Sequence, residues 1–291
     1  MSIFQLQNKK LTVKVNSFGA ELCSVVSKET SIEYIWQADT AVWARHAPNL
    51  FPIVGKLKDG DFSFEDKSFE LPQHGFARDN EFVCVDQQDE YLLFELTATE
   101  KTLESFPFHF SLQIGYKLVE NKIEVSYSVF NPANEPLYFS IGAHPAFNCP
   151  LEKNEKFSDY ELLFPGIDEL IINVLNDGLI TDKTKKIELT NNRLPVSKQL
   201  FDNDALVCMN HQIDEVKLVS GKTKHGVSVL SKGWPYYGIW SKKGTDEFVC
   251  LEPWYGISDN ETASGIFEEK TGIIKLEPEQ YFNCSFEILF F

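Results

Sequence analysis

Three short segments carry ionisable side chains in backbone settings that suit proton transfer. Val249–Gly256 reads Val-Cys-Leu-Glu-Pro-Trp-Tyr-Gly, so Glu252 ends an apolar run and two aromatic residues follow. Apolar surroundings favour the neutral form of a carboxyl group and lift its pKa toward the range where it exchanges protons near neutrality. The plainer alternative is an edge glutamate bonded to backbone amides. Ser140–Phe147 reads Ser-Ile-Gly-Ala-His-Pro-Ala-Phe. Strand alternation there puts Leu137, Phe139, Ile141 and Ala143 on one face and Tyr138, Ser140, Gly142 and His144 on the other. Small neighbours leave room for a ligand beside His144; a satisfied histidine at a strand end is the competing reading. The third segment, Leu71–Asp79, holds Pro72-Gln73-His74-Gly75, a tight loop whose histidine, taken alone, reads first as structural or surface. His144 and Glu252 each precede a proline, which drives the preceding residue into extended geometry and restrains its side chain. An acid and a base benefit from such restraint, because displacement by about 1 Å costs on the order of a hundredfold in rate.

The elements that must position these groups are strands. In Lys122–Val129 the residues Ile123, Val125, Tyr127 and Val129 share one face, and Glu124, Ser126 and Ser128 the other. Comparable runs occur at Leu11–Val15, Ile32–Trp36, Phe82–Val85, Tyr91–Leu96, Ser111–Val119, Leu137–Ala143, Val216–Val219, Val227–Leu230, Phe248–Leu251 and Phe286–Leu289. Turn signals such as Lys58-Asp59-Gly60-Asp61, Asn131-Pro132-Ala133-Asn134 and Asn176-Asp177-Gly178 separate them. Only Lys101–Phe106 offers a helical turn, and Glu152–Lys156 and Thr181–Gln199 read as polar loops. The pattern predicts an all-β chain, one antiparallel sandwich-like domain over residues 1–291.

Composition narrows the partners. A net charge of −16, with no block of Lys or Arg, disfavours nucleic acid and acidic membrane surfaces, which need a basic footprint. No apolar stretch approaches the roughly 20 residues of a membrane span, and the start Met1–Asn8 lacks a signal-peptide core. The six scattered cysteines form no C-x-x-C pair and read as reduced core residues of a cytoplasmic protein. No metal-ligand cluster or glycine-rich phosphate loop is present, so no cofactor and no metal are expected.

Four pieces, Asn49–Gly55, Pro72–Arg78, Gly142–Pro145 and Leu251–Trp254, occur in an order that resembles the aldose 1-epimerase (galactose mutarotase-like) superfamily. The likeness runs roughly over residues 18–290 and is closest to the bacterial lactose-operon X protein-like branch. It implies a large antiparallel β-supersandwich and interconversion of the α and β anomers of a hexose by ring opening, without a cofactor. Glu252 would take the proton of the C1 hydroxyl, His144 would protonate the ring oxygen, and His74 would steady the ring-oxygen side. Asp204, with Asp202 as second choice, would bind sugar hydroxyls. Lys56 stands where galactose mutarotases carry an arginine, and a lysine makes different contacts, which points away from galactose. The run Pro72–Arg78 is also similar to hexose-6-phosphate 1-epimerases, in which Arg78, Lys56 and Arg45 would hold the phosphate. Trp43, Phe76 and Trp254 are candidate platforms for a sugar's apolar face. The expected partner is a small sugar or sugar phosphate, the chain being a monomer or homodimer. A carbohydrate-binding or sensing protein on the same fold is the non-enzymatic alternative.

Overall fold

Alternation builds the first large sheet of the computed structural model, which describes residues 2–291. Lys122–Phe130 buries Ile123, Val125, Tyr127 and Val129 and leaves the intervening side chains half-exposed. It pairs antiparallel with Ser111–Val119 on one side and Tyr281–Phe290 on the other, matched at all nine positions. Cross-strand neighbours such as Ile123, Leu118 and Ile288 therefore share the inner face. Each fully buried aliphatic side chain of this kind contributes roughly 1.5–3 kcal/mol. The sheet has nine strands, running from Arg193–Pro195 at one edge to Val83–Gln88 at the other.

A second, eight-stranded sheet runs in the order Leu179–Glu188, Glu169–Asn176, Leu206–Cys208, Tyr236–Trp240, Phe248–Tyr255, Ile141–Ala143, Asn49–Leu50, with Ala146–Asn148 also paired to Phe248–Tyr255. Its central strand, Phe248–Tyr255, is buried on both faces until its last residue. One hydrophobic cluster takes side chains from both large sheets, among them Val125 and Tyr127 from the first and Ile239 and Leu251 from the second. Smaller antiparallel pairings, including Ile3–Gln7, Leu11–Asn16 and Glu21–Ser27, complete an almost wholly β chain. Among the described residues, no helix is long and apolar enough to cross a membrane.

Three expectations need correction. Leu137–Ala143 is two strands in different sheets, broken at Ser140, whose hydroxyl accepts from the Val54 amide instead of continuing the ladder. Ile32–Trp36 makes only isolated bridges. Within Thr181–Gln199, the polar stretch to Glu188 is the edge strand of the second sheet. An edge strand exposed along most of its length has no apolar face to reveal it, and lysines such as Lys183, Lys185 and Lys186 suit such an edge.

Candidate active site

Sheet register brings two distant side chains together. On one edge of Phe248–Tyr255, Ile141 and Gly142 pair with Tyr255 and Trp254; after a gap, Ala146 and Phe147 pair with Cys250 and Val249. The register is identical on both sides of the gap and sets His144 directly opposite Glu252. Pro145 and Pro253 flank this point, and neither has an amide hydrogen to give the ladder. The His144 amide donates instead to the Pro48 carbonyl at 3.1 Å, and the Leu251 amide donates to the Pro145 carbonyl at 3.1 Å. His144 Nε2 lies 3.2 Å from Glu252 Oε2. The contact is close without being an aligned hydrogen bond: Glu252 Oε2 and His144 Nδ1 both lack a hydrogen-bond partner.

Glycines make room around the pair. Gly238 pairs with Glu252 on the other edge of its strand. A Cβ on Gly238 would sit 2.3 Å from the Trp254 ring, and one on Gly142 would sit 2.6 Å from it. The indole thus fills the space that two missing side chains leave, one step along the face from Glu252.

His74 arrives from a loop. Its φ is +67°, followed by Gly75 at +70°, and a Cβ at Gly75 would meet the Phe51 carbonyl oxygen at 2.3 Å. The loop is stitched to Asn49–Gly55: Phe76 and Ala77 amides donate to the Phe51 carbonyl, and His74 N–H donates to the Gly55 carbonyl. The Gly55 amide donates in turn to His74 Nδ1 at 3.1 Å. A neutral ring accepting there carries its proton on Nε2. The ring stands edge-on to His144, centroids 5.5 Å apart.

These groups border a cleft of about 390 Å³, within the range of small-molecule sites. His74, His144, Glu252, Asp204, Arg78, Trp254 and Trp43 all line it. Lys56 stands behind the rim, its Nζ bonded at 3.0 Å to both the carbonyl and the carboxylate of Asp177. That bond holds the turn bearing Gly178, which does line the cleft. Arg45 bonds Asp79 at 2.9 Å. Phe76 packs among Phe51, Phe106 and Phe110 in the core. The Asp202 carbonyl accepts from Lys243. Trp240, Lys242 and Gln73 also line the cleft although the sequence reading passed over them. Period two from Gly238, in Tyr236–Trp240, was the available signal for Trp240. Asn49 was also missed: buried, it donates to the Gly19 and Ala20 carbonyls and accepts from Tyr127, anchoring the segment that backs His74.

Electrostatics favour a neutral His144–Glu252 pair at rest. Burial first, then the charge of Asp204, holds the Glu252 carboxyl well above the usual carboxylate range, with the Trp254 indole acting the other way. Burial drives His144 down to about 3; its own backbone opposes this, while Arg78 and Arg45 add to it. Burial, then His144, Arg78 and Arg45, keep His74 well below the ordinary imidazole value. Arg78 is lowered to about 10 by burial and remains a cation. Among the described residues, the His, Cys and carboxylate atoms able to surround an ion are those of His144, Cys250 and Glu252, within 4.8 Å of one another. Burial holds the Cys250 thiol well above its usual range, which disfavours the thiolate that a metal would bind. The donor set suits protons better than a cation.

Comparison with known proteins agrees with this architecture. The family model described as aldose 1-epimerase matches residues 2–265. The chain is 32% identical over 294 residues to the chromosomal protein LacX of Lactococcus lactis subsp. lactis, covering 98% of each chain; the plasmid LacX of the same organism is 31% identical. Among solved structures, a galactose mutarotase related enzyme from Lactobacillus acidophilus superposes with a TM-score of 0.95 at 34% identity, over 100% of this chain and 97% of that one. A galactose mutarotase-like protein from Lactobacillus casei gives 0.90 at 28% identity, over 100% of both chains.

Proposed function

The chain belongs to the aldose 1-epimerase family, and from that premise we propose that it interconverts the α and β anomers of a free hexose or closely related aldose. The observation that carries this reading is the cross-strand pair: His144 and Glu252 face each other 3.2 Å apart at the wall of the cleft, close enough for one proton to pass between them. In the resting site Glu252 holds it. Passing it to His144 leaves a carboxylate beside an imidazolium, a base and an acid made together without exchange with solvent. The carboxylate takes the proton of the C1 hydroxyl while His144 gives its proton to the ring oxygen. The C1–ring oxygen bond breaks, the open-chain aldehyde turns about C1–C2, and the reverse transfers close the ring on the other face. His74 Nε2–H donates to the ring-oxygen side. Asp204 and Trp254 bind hydroxyls and an apolar face, and Arg78 contributes a fixed charge.

All three cations that could hold a phosphate are already engaged, Lys56 with Asp177 and both Arg45 and Arg78 with Asp79, which favours the unphosphorylated sugar. Saturation-transfer NMR on glucose, galactose and their 6-phosphates tests this. Anomer exchange is expected for a free sugar. Exchange confined to the phosphates would replace the proposed substrate, and binding without exchange would leave a carbohydrate-binding protein.

A further inference from the structure

The ring of His144 is boxed in by aromatic groups. Trp43 lies nearly parallel to it, with centroids 5.1 Å apart and planes at 27°. Trp240 meets it edge-on at 5.7 Å. Trp43 comes from an irregular stretch, yet it is firmly held. Its amide donates to the Asp39 carbonyl at 2.8 Å, and its own carbonyl accepts from the Trp36 indole at 2.8 Å. Lys242 ties down the neighbouring Val42 carbonyl. The Trp43 indole also stacks on Phe248, at 5.5 Å and 20°, so it packs against both a core ring and the imidazole. His144 thus lies stacked against the indole, a contact that a sugar platform would keep for the sugar.

That geometry has a chemical consequence. Ring opening requires His144 to carry a positive charge briefly, and its surroundings oppose this. The groups facing it are Glu252 across the ladder gap, His74 edge-on, the Cys250 thiol beside Glu252, and the charges of Arg78 and Arg45. Asp204 lines the same cleft, and Glu252, once it has passed its proton on, favours the cation by charge. An indole face is negative by its quadrupole and attracts a cation stacked on it, most strongly where water is excluded.

We propose that Trp43 is a positioning residue acting through His144: its stack fixes the imidazole plane toward Glu252, and its π face stabilises the imidazolium that gives its proton to the ring oxygen as the sugar ring opens. The inference rests on the mutarotase reading. It makes the catalytic acid depend on a loop outside both the strand that carries the base and the strand gap that holds the acid.

The test compares the wild type with Trp43→Phe and Trp43→Leu. Anomer exchange gives kcat, KM and the pH profile, and long-range proton–nitrogen spectra of histidine-labelled protein at neutral pH report the order of the His144 ring. Trp43→Leu is expected to lower kcat by about ten- to thirtyfold, the worth of a desolvated cation–π contact, with KM within about twofold of wild type on the same argument. Trp43→Phe, which keeps an aromatic face, recovers most of kcat. The His144 signal, sharp in the wild type and Trp43→Phe, broadens in Trp43→Leu. A raised KM with unchanged kcat would overturn the proposal and make Trp43 a sugar platform. Equal loss in both variants, or an unaltered His144 signal in Trp43→Leu, would reduce Trp43 to packing. Absence of anomer exchange in the wild type would sink the mutarotase reading by itself, while the NMR comparison would still decide whether Trp43 orders the His144 ring.

Discussion

Lys122–Phe130 and Phe248–Tyr255 are both central antiparallel strands, and they use the same pairing rules to opposite ends. The first alternates buried and half-buried residues and keeps an unbroken ladder on both sides. The second is buried on both faces, loses its ladder on one edge opposite Glu252, and places an acid where an apolar residue would pack better. Two prolines remove amide donors, two glycines remove side chains, and the vacated space is shared by Trp254 and the cleft. A sheet that obeys its rules yields stability. The reactive pair comes from breaking them locally while register is kept on either side.

Substitutions can separate the two strands. Glu252→Gln keeps the shape and removes the proton acceptor. Anomer exchange measured by NMR should fall on the order of a thousandfold, about 4 kcal/mol in barrier, with the β circular dichroism signature retained. Ile123→Ala should do the converse, costing about 2–5 kcal/mol of stability by urea unfolding and leaving the turnover of folded protein unchanged. An active-site defect in the second variant would deny that the strands divide these tasks.

Acid titration sharpens the contrast further. His144 is neutral in the fold down to about 3 but takes a proton near 6.5 when unfolded. Its contribution to stability is therefore complete above 6.5 and is lost as pH falls toward 3. Glu252 behaves in reverse. With its folded pKa raised well above 4.5, its contribution is complete below 4.5 and is lost as pH rises through the folded value. Between 4.5 and 6.5 the two slopes oppose each other. Glu252→Gln removes one of them, so stability in that window should rise with pH more steeply than in wild type, by up to about 1.4 kcal/mol per pH unit. Urea midpoints across the window would show it, and parallel curves would argue against a neutral buried pair. The smallest effect is expected at the rim. Lys56→Met loosens the turn at Asp177 and should raise KM by no more than about threefold, as for a partly exposed ion pair, with kcat unchanged.

Much of this was readable before folding. The strand Lys122–Phe130 announces itself through Ile123, Val125, Tyr127 and Val129, because one face meets a core and the other water. His144 and Glu252 could be singled out by their prolines and apolar context, but their direct opposition could not, since register between residues so distant in sequence is set by the whole sheet. The edge strand Leu179–Glu188 stayed hidden because its exposed side chains follow no apolar period. Trp43 was legible as an aromatic near the site, yet only the stacked geometry reveals that its face meets a histidine. Lys56 was legible as a cation, whereas its engagement with Asp177 depends on a turn more than a hundred residues away.

A double-mutant cycle on anomer exchange, with His144→Gln, Glu252→Gln and the two combined, addresses the linked acid and base most directly. If one proton is handed between the two side chains, the combined variant should be about as slow as the slower single variant. Losses that multiply would mean that the imidazole and the carboxyl group work independently, and the account given for this gap in the sheet would be wrong.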